Sequence, residues 1–304
     1  MRILLTGATG FLGQRLVRLL KRESGETLFA LARSEESSQK ISVTGCRPVV
    51  ADLNDPESLQ QALKGLEIET VFHLAAEIAT QRNKRLLWET NCTGTQNLYE
   101  AVKKMASLER FVFASTVVVG EANGELLTED QPLTVETEYG KTKQASEKML
   151  LQAHQKDGFP AIILRPSHIY GNGGWFAGII RDLQKGLFRI PGTGDNLWDV
   201  VHVDDVAAAF ALAGRCGKVG EIYHVVDDVP TTMKAFFTEA ARRLGKTKVG
   251  HAPVFLANWV KGKDPVRAAT RSARSSNKKM KALGWTPRYP DFKTGLAQVF
   301  QEMA

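Results

Sequence analysis

The eight residues Thr6-Gly7-Ala8-Thr9-Gly10-Phe11-Leu12-Gly13 constrain this chain more than any other stretch. They follow a strand-like run, Arg2 to Thr6, and open a helical pattern from Gly10 to Arg22. Glycines spaced G-x-x-G-x-x-G at such a turn permit a sharp reversal, close approach of backbone to a pyrophosphate, and tight helix packing. The unpaired N–H groups at the start of the helix then offer an anion a binding site. A glycine-rich turn can also be an ordinary strand-to-helix connection; its place between the first strand and the first helix is what points to a nucleotide.

The same rhythm continues through the first two-thirds of the chain. Short β-branched or apolar runs predict strands at Thr27 to Ala32, Val49 to Ala51, Thr70 to Leu74, Arg110 to Ser115 and Ala161 to Arg165. Helical patterns fall between them at Pro56 to Lys64, Leu86 to Met105 and Tyr139 to Lys156. Strands alternating with crossover helices imply a parallel sheet, so the expected fold is α/β, a Rossmann-type doubly wound sheet. From about Pro166 the chain becomes irregular and richer in Gly, Pro and Trp, then returns as a strand at Val200 to Val203 and an Ala-rich helix from Asp204 to Gly214. This predicts a dinucleotide-binding domain over 1–166, with 196–226 returning to it. A smaller, interleaved C-terminal substrate lobe takes 167–195 and 227–304.

At 304 residues and 43% apolar content the chain has ample material for such a core. Cys46, Cys92 and Cys216 lie too far apart for a CxxC pair or a ligand cluster, so neither a disulfide framework nor a metal site is expected. With no signal-peptide pattern at the start, a cytoplasmic protein is expected. The strongest apolar stretch, Phe111 to Gly120, is too short to span a bilayer and reads as a buried strand entering a turn.

The residue after the second strand discriminates between cofactors: an acid there accepts from a ribose 2′-hydroxyl, whereas a cation accommodates a 2′-phosphate. Here Arg33 stands 20 residues beyond Gly13, followed by Ser34, with no acid between Thr27 and Ser34. NADP is therefore expected over NAD, although a solvated arginine at a strand end remains the plain alternative.

Tyr139-Gly140-Lys141-Thr142-Lys143 places Tyr139 and Lys143 four apart, on one helix face. A nearby ammonium favours phenolate and makes the phenol a usable proton donor or acceptor. Ser115, at a strand end, can hydrogen-bond a reacting oxygen. Each element is common singly.

In order along the chain, these segments together resemble the extended short-chain dehydrogenase/reductase family, of the NAD(P)-dependent epimerase/dehydratase type. TGATGFLG resembles the family's cofactor turn, Asp52-Leu53 its adenine-contacting pair, and Phe72-His73-Leu74-Ala75-Ala76 its strand end beside cofactor phosphate and ribose. Asn91-Cys92-Thr93-Gly94-Thr95-Gln96-Asn97-Leu98 is similar to the N-x-x-G-T-x-N-L helix. Phe113-Ala114-Ser115-Thr116 resembles the catalytic serine strand, and Tyr139 to Lys143 the Y-x-x-x-K helix. Leu164-Arg165-Pro166, Ile169-Tyr170-Gly171 and His202-Val203-Asp204-Asp205-Val206-Ala207 match later signatures.

The resemblance implies that Ser115 and Tyr139 bond a substrate carbonyl or hydroxyl while nicotinamide gives or takes hydride, with Lys143 on the nicotinamide ribose lowering the phenol's pKa. It also implies cofactor contacts from Gly7, Thr9, Gly10, Phe11, Leu12, Gly13, Leu53, Leu74, Ala75, Ala76 and Pro166. Asn91 either supports the site or bonds its own helix backbone; Asp52 and His73 either contact cofactor or satisfy backbone groups at their strand ends. The family often pairs into homodimers through two helices flanking the catalytic region.

Sugar-nucleotide members commonly carry an Asn after the R-P segment and an Arg before the aspartate leading into H-V-D-D-V-A, both holding nucleotide phosphate. This chain has His168 and Trp198 there, and Val119 where many carry Tyr. An indole with one N–H cannot replace a bidentate guanidinium. Trp198 can instead join Trp175, Phe176, His168 and Thr116 around a less polar small-molecule substrate, or these aromatics can pack the second lobe. Reduction of a ketone or aldehyde is thereby favoured over epimerisation or dehydration, and a non-catalytic cofactor sensor is the outside reading.

Thirteen Lys or Arg against the single acid Asp264 lie between Arg242 and Arg288, within a chain of net charge +7. This excess can be a solvated face or can attract an anionic partner. No aromatic-interleaved motif marks nucleic acid as the partner, and Ala252 to Val260 reads as an interfacial helix, a lid or a core helix.

Overall fold

Near-continuous apolar runs in the sheet strands dictate a sheet covered on both faces, and the computed structural model, which describes residues 1–22, 25–117, 124–131 and 134–303, has that form. Val119 lies outside the described residues. Seven strands form one parallel sheet: β1 (Arg2–Thr6), β2 (Thr27–Ala32), β3 (Arg47–Val50), β4 (Thr70–His73), β5 (Arg110–Ala114), β6 (Ala161–Pro166) and β7 (Ile222–Val225). Their spatial order is β7-β6-β5-β4-β1-β2-β3. The order reverses between β1 and β4, so a crevice opens at the carboxyl ends of these two strands, where doubly wound sheets take their ligands.

Successive side chains point to opposite faces, and this splits the core in two. Ile3, Leu5, Ala30, Phe72 and Val112 pack with α1 (Phe11–Leu20) and with the Ala-rich helix Val203–Cys216 on one face. Leu4, Phe29, Val71, Phe111 and Phe113 pack on the other face, against α3 (Pro56–Leu63), the helix Gly94–Val102 and the long helix Glu138–Asp157. A third cluster, built on Tyr170, Phe176, Trp198, Phe236, Phe237 and Leu296, lies in a smaller lobe.

Around the sheet, two helices depart from the sequence pattern. A helix α2 (Glu35–Val43) follows Arg33-Ser34; its weak apolar face, burying only Ser38 and Ile41, hid it. The helix expected over Leu86 to Met105 is broken into α4 (Lys84–Trp88), a π-helical turn (Glu89–Thr93) and α5 (Gly94–Val102). The reason is Asn91, whose carbonyl accepts from the hydroxyls of Thr95 (2.6 Å) and Ser146 (2.8 Å). The long helix is α6 (Glu138–Asp157), begun by the Thr137 hydroxyl, which accepts from the Gly140 N–H, and ended by Gly158 at φ 70°. Among the described residues no helix is long and apolar enough to cross a membrane.

Candidate active site

At the end of β1 the turn is shaped by contact. Gly7 sits at φ 72°, and a Cβ there would lie 2.8 Å from the Ala75 nitrogen; a Cβ at Gly13 would collide with the Gly7 carbonyl. These two glycines let the turn press on the Leu74-Ala75-Ala76 segment and on its own helix, as close approach requires. Gly10 begins α1 with no side chain to cap it, and the first helical bond runs from Gln14 N–H to Gly10 carbonyl at 3.0 Å. The N–H groups of Phe11, Leu12 and Gly13 precede that bond and have no carbonyl within the helix. Thr9 is exposed beside them. The Phe11 ring is gripped from the smaller lobe: a Cβ at Gly173 or Gly174 would come within 2.8 Å of it. The glycine run Gly171-Asn172-Gly173-Gly174 was the available signal for this contact.

Arg33, at the tip of β2, is exposed, and among the described residues its guanidinium has no hydrogen-bond or ion-pair partner. Ser34 caps α2, its hydroxyl accepting from Ser37 N–H. Asp52 Oδ1 accepts from Asn54 N–H at 2.8 Å, so one of its oxygens serves its own turn. Leu53 is buried; its carbonyl accepts from Asn97 Nδ2 at 2.8 Å, and a Cβ at Gly94 would press on it. A helix start and a cation one strand away, both unpaired among the described residues, suit the anionic groups of a dinucleotide.

The candidate catalytic groups lie at the end of β5 and along α6. Tyr139, Lys143, Ser146, Glu147 and Leu150 share one face of α6 through i+3 and i+4 spacing. Lys143 is 2% exposed; its Nζ donates to the Ala114 carbonyl at 2.8 Å and lies 4.8 Å from the centre of the Phe113 ring. Burial lowers its pKa to about 8, against the pull of Glu147. Ser115 follows Ala114 directly and is buried, and its hydroxyl has no partner among the described residues. Such an orphan is rare in a folded chain and suits a hydroxyl reserved for a ligand. Tyr139 stands one turn before Lys143, and burial raises its pKa to about 12. The lowering expected from Lys143 does not emerge in the protein alone, because loss of hydration dominates the phenol.

Sequence reasoning missed the ion pair that holds this helix. Arg165 on β6 forks onto Glu147, Nε to Oε1 at 2.8 Å and Nη2 to Oε2 at 2.6 Å, both side chains buried. A bidentate pair fixes orientation as well as distance, and it lies one turn beyond Lys143. Asn91 does not bond its own helix through its side chain. Its Oδ1 accepts from Glu77 N–H (2.8 Å), while Nδ2 donates to the Glu77 carbonyl and to Thr142 Oγ1, both at 3.0 Å. His73, fully buried, spans Thr6 Oγ1 (2.7 Å) and Thr95 Oγ1 (2.9 Å), which ties two elements together rather than capping a strand end.

Across from α6, Thr116 Oγ1 donates to the Pro166 carbonyl at 3.2 Å, and His168 follows two residues on. The His168 Nδ1–H donates to the Asp199 carbonyl at 2.9 Å, and burial lowers its pKa to about 4. Its ring lies 4.5 Å from that of Trp198. Trp198 and Phe176 are in the core of the smaller lobe, whereas Trp175 and His168 are half-buried. The Trp175 Nε1–H is held by the Ile169 carbonyl at 2.7 Å.

A doubly wound sheet with a glycine turn at its switch point and a Ser, Tyr and Lys set at the next strand end defines a dehydrogenase/reductase enzyme of the extended short-chain class. The chain belongs to the NAD dependent epimerase/dehydratase family, whose model matches residues 3–226. It is 30% identical over 260 residues, covering 83% of this chain and 76% of the relative, to the 4-hydroxy-2-methyl-3-oxo-4-farnesyl-3,4-dihydroquinoline-1-oxide ketoreductase of Stigmatella aurantiaca. It is 29% identical to the decarboxylating sterol-4-alpha-carboxylate 3-dehydrogenase of Dictyostelium discoideum, covering 80% of this chain and 76% of that one. The UDP-glucose 4-epimerase of Thermus thermophilus, solved with NAD, superposes with a TM-score of 0.81 at 28% identity, covering 99% of this chain and 98% of its own.

Proposed function

We propose that this enzyme reduces a ketone or aldehyde carbonyl of a largely apolar small molecule with NADPH, reversibly. The observation that carries the reading is the buried Ser115 hydroxyl, without a partner among the described residues and set directly after the carbonyl that holds the Lys143 ammonium. The turn Gly7 to Gly13 would hold the cofactor's diphosphate on the first N–H groups of α1, Arg33 its ribose phosphate, and Lys143 its nicotinamide ribose. Asp52, Leu53, Leu74, Ala75, Ala76 and Pro166 would bound the same cofactor. A bound nicotinamide supplies hydride to the carbonyl carbon, or takes it up in the reverse direction.

The chain's own part is the oxygen. Ser115 Oγ–H donates to the substrate carbonyl and fixes its direction. As the oxygen gains negative charge, Tyr139 transfers its phenolic proton to it. A phenol with a pKa of about 12 is fully protonated at neutral pH, so reduction starts from a loaded acid, and an alkoxide is basic enough to take the proton. Lys143, charged below about pH 8, stabilises the phenolate left behind. Asn91 and the Glu147–Arg165 fork hold α6 so that these groups need not rearrange during the step.

Reduction rather than sugar-nucleotide chemistry is supported by Trp198, a buried indole where a phosphate-binding guanidinium would be needed, and by the ketoreductase and sterol-carboxylate dehydrogenase names of the relatives. One observation favours the second reading, epimerisation of a sugar nucleotide: buried Arg271 acts electrostatically on His168 and Asp199, which gives an anion some attraction there. Steady NADPH consumption with apolar carbonyl compounds supports reduction; UDP-sugar conversion without net cofactor turnover supports the alternative. Within the favoured reading, Tyr139→Phe removes only the phenolic oxygen. It should lower turnover about 10²–10⁴-fold while NADPH binding stays close to wild type, and near-normal turnover refutes the assignment.

A further inference from the structure

The helix α7 (Gly174–Gln184), the Ala-rich helix α8 (Val203–Cys216) and α9 (Met233–Arg243) each bury an apolar face; the next helix, α10 (Val254–Lys261), buries none of its residues. Phe255 is 75% and Trp259 84% exposed, with Leu256 and Val260 about half exposed. Positions 255, 256, 259 and 260 fall at i, i+1, i+4 and i+5, so they make one continuous stripe. A lone exposed apolar side chain is ordinary, but two aromatics and two aliphatics in one stripe mark an interaction surface.

The stripe is firmly mounted. Arg82 Nη2 donates to the Val260 carbonyl at 3.0 Å, and the His251 ring bonds the Gly192 carbonyl at 2.9 Å just before the helix. The following helix, α11 (Lys263–Thr270), is tied to the start of α6: Asp264 Oδ2 accepts from Glu138 N–H at 2.8 Å, and Arg267 pairs with Glu136. The stripe is therefore fixed beside the end of the helix that carries Tyr139.

Charge says what covers it. Lys261 and Lys263 flank the stripe, both exposed, and neither pairs with an acid among the described residues; the same holds for Lys246 and Lys248. The one acid of this segment, Asp264, is engaged with Glu138 N–H. A protein partner can supply apolar area, but the combination of an aromatic stripe and unpaired lysines on a helix too short to span matches a bilayer interface bearing anionic headgroups. We propose that α10 docks this enzyme on an anionic membrane surface, with Phe255 and Trp259 entering the boundary between headgroups and acyl chains and Lys261 and Lys263 on the lipid phosphates. This goes beyond the reductase reading and does not depend on it.

Sedimentation of the full chain with phosphatidylcholine vesicles containing about 30% phosphatidylserine tests the proposal, since such surfaces attract each nearby lysine by roughly fivefold in affinity. Binding should be strong to these vesicles, weak to pure phosphatidylcholine, and reduced by salt. Phe255→Ser with Trp259→Ser should weaken it at least about tenfold, and Lys261→Ala with Lys263→Ala about 25-fold, both double variants melting as wild type because all four side chains are exposed. Absence of binding to the anionic vesicles, equal binding to neutral ones, or binding unchanged in the Ser variant overturns the proposal. So does a concentration-dependent dimer that the Ser variant dissolves, because the stripe then belongs to a second copy.

Discussion

Removing the Arg33 guanidinium tests cofactor choice at a single atom group. The side chain leaves the end of β2 into solvent and has no protein partner among the described residues, so Arg33→Ala breaks nothing in the fold. Its neighbour Ser34 is engaged with Ser37 as the cap of α2, leaving the guanidinium as the cation at this strand end. A hydrogen bond to a charged group contributes about 1.5–3 kcal/mol, which is roughly 10- to 150-fold in affinity. Exposure and screening favour the lower end, so NADPH should bind about tenfold more weakly at physiological salt and NADH should be unaffected. Calorimetric titration of both cofactors, at about 0.05 M and about 0.3 M salt, reads this directly, with the wild-type preference shrinking as salt rises. An unchanged ratio of NADPH to NADH affinity in the variant refutes the role given to Arg33 and returns the question to the ribose hydroxyl.

Two further predictions come from buried titrating groups. With the Lys143 pKa lowered to about 8, kcat/KM for reduction should be level near neutrality and fall about tenfold per pH unit well above pH 8 as the ammonium is lost; a profile flat to pH 10 contradicts the assignment, and Lys143→Met should remove both the limb and most of the rate. His224 is buried with neither ring nitrogen partnered among the described residues, and burial near Arg165 pushes its pKa down to about 3. Its folded value lies below its unfolded value, so between about pH 6.5 and 4 the unfolded chain binds the extra proton and stability falls as pH falls. His224→Phe should make urea-derived stability less steep by about 1.4 kcal/mol per pH unit in that window; an unchanged slope would show that His224 already carries its proton in the folded chain.

Much of the dinucleotide half was legible in the sequence because each step of it is local. The strands Arg2–Thr6 and Thr27–Ala32 match to the residue, since β-branched and apolar runs bounded by glycine or charge leave little choice. The start of α6 was visible within one residue of Tyr139. What was not legible depends on partners distant in sequence. Arg165 appeared as part of an L-R-P segment, and only the β6 to α6 contact reveals Glu147 as the reason for a buried guanidinium. The π-helical turn at Glu89–Thr93 is invisible to periodicity because two hydroxyls, one of them 55 residues away, take the Asn91 carbonyl. Trp198 illustrates the same limit: its identity argues against a bound diphosphate, while its burial in the smaller lobe emerges only from packing with Phe236 and Phe237.

The same long-range contacts explain how the glycine turn after β1 and the helix α6 keep a fixed relation. Thr95 donates its hydroxyl proton to the Asn91 carbonyl, so its oxygen must receive from His73 Nε2–H. His73 Nδ1 is then the acceptor for the Thr6 hydroxyl, whose oxygen in turn accepts from Ala75 N–H at 3.1 Å. Every proton in this chain has one place to go, provided the imidazole is neutral. Burial, with Lys143 adding to it, holds the His73 pKa near 3 and so enforces that state across the working pH range. Asn91 then passes the constraint to Thr142 and Ser146, which flank Lys143 on α6. From the last residue of β1 to Thr142, the residue before Lys143, hydrogen bonds thus join β1, β4, α5 and α6. Leaving any one of these groups unpaired would cost about 1–3 kcal/mol, so the fold itself fixes α6, which carries Tyr139 and Lys143, relative to the glycine turn after β1.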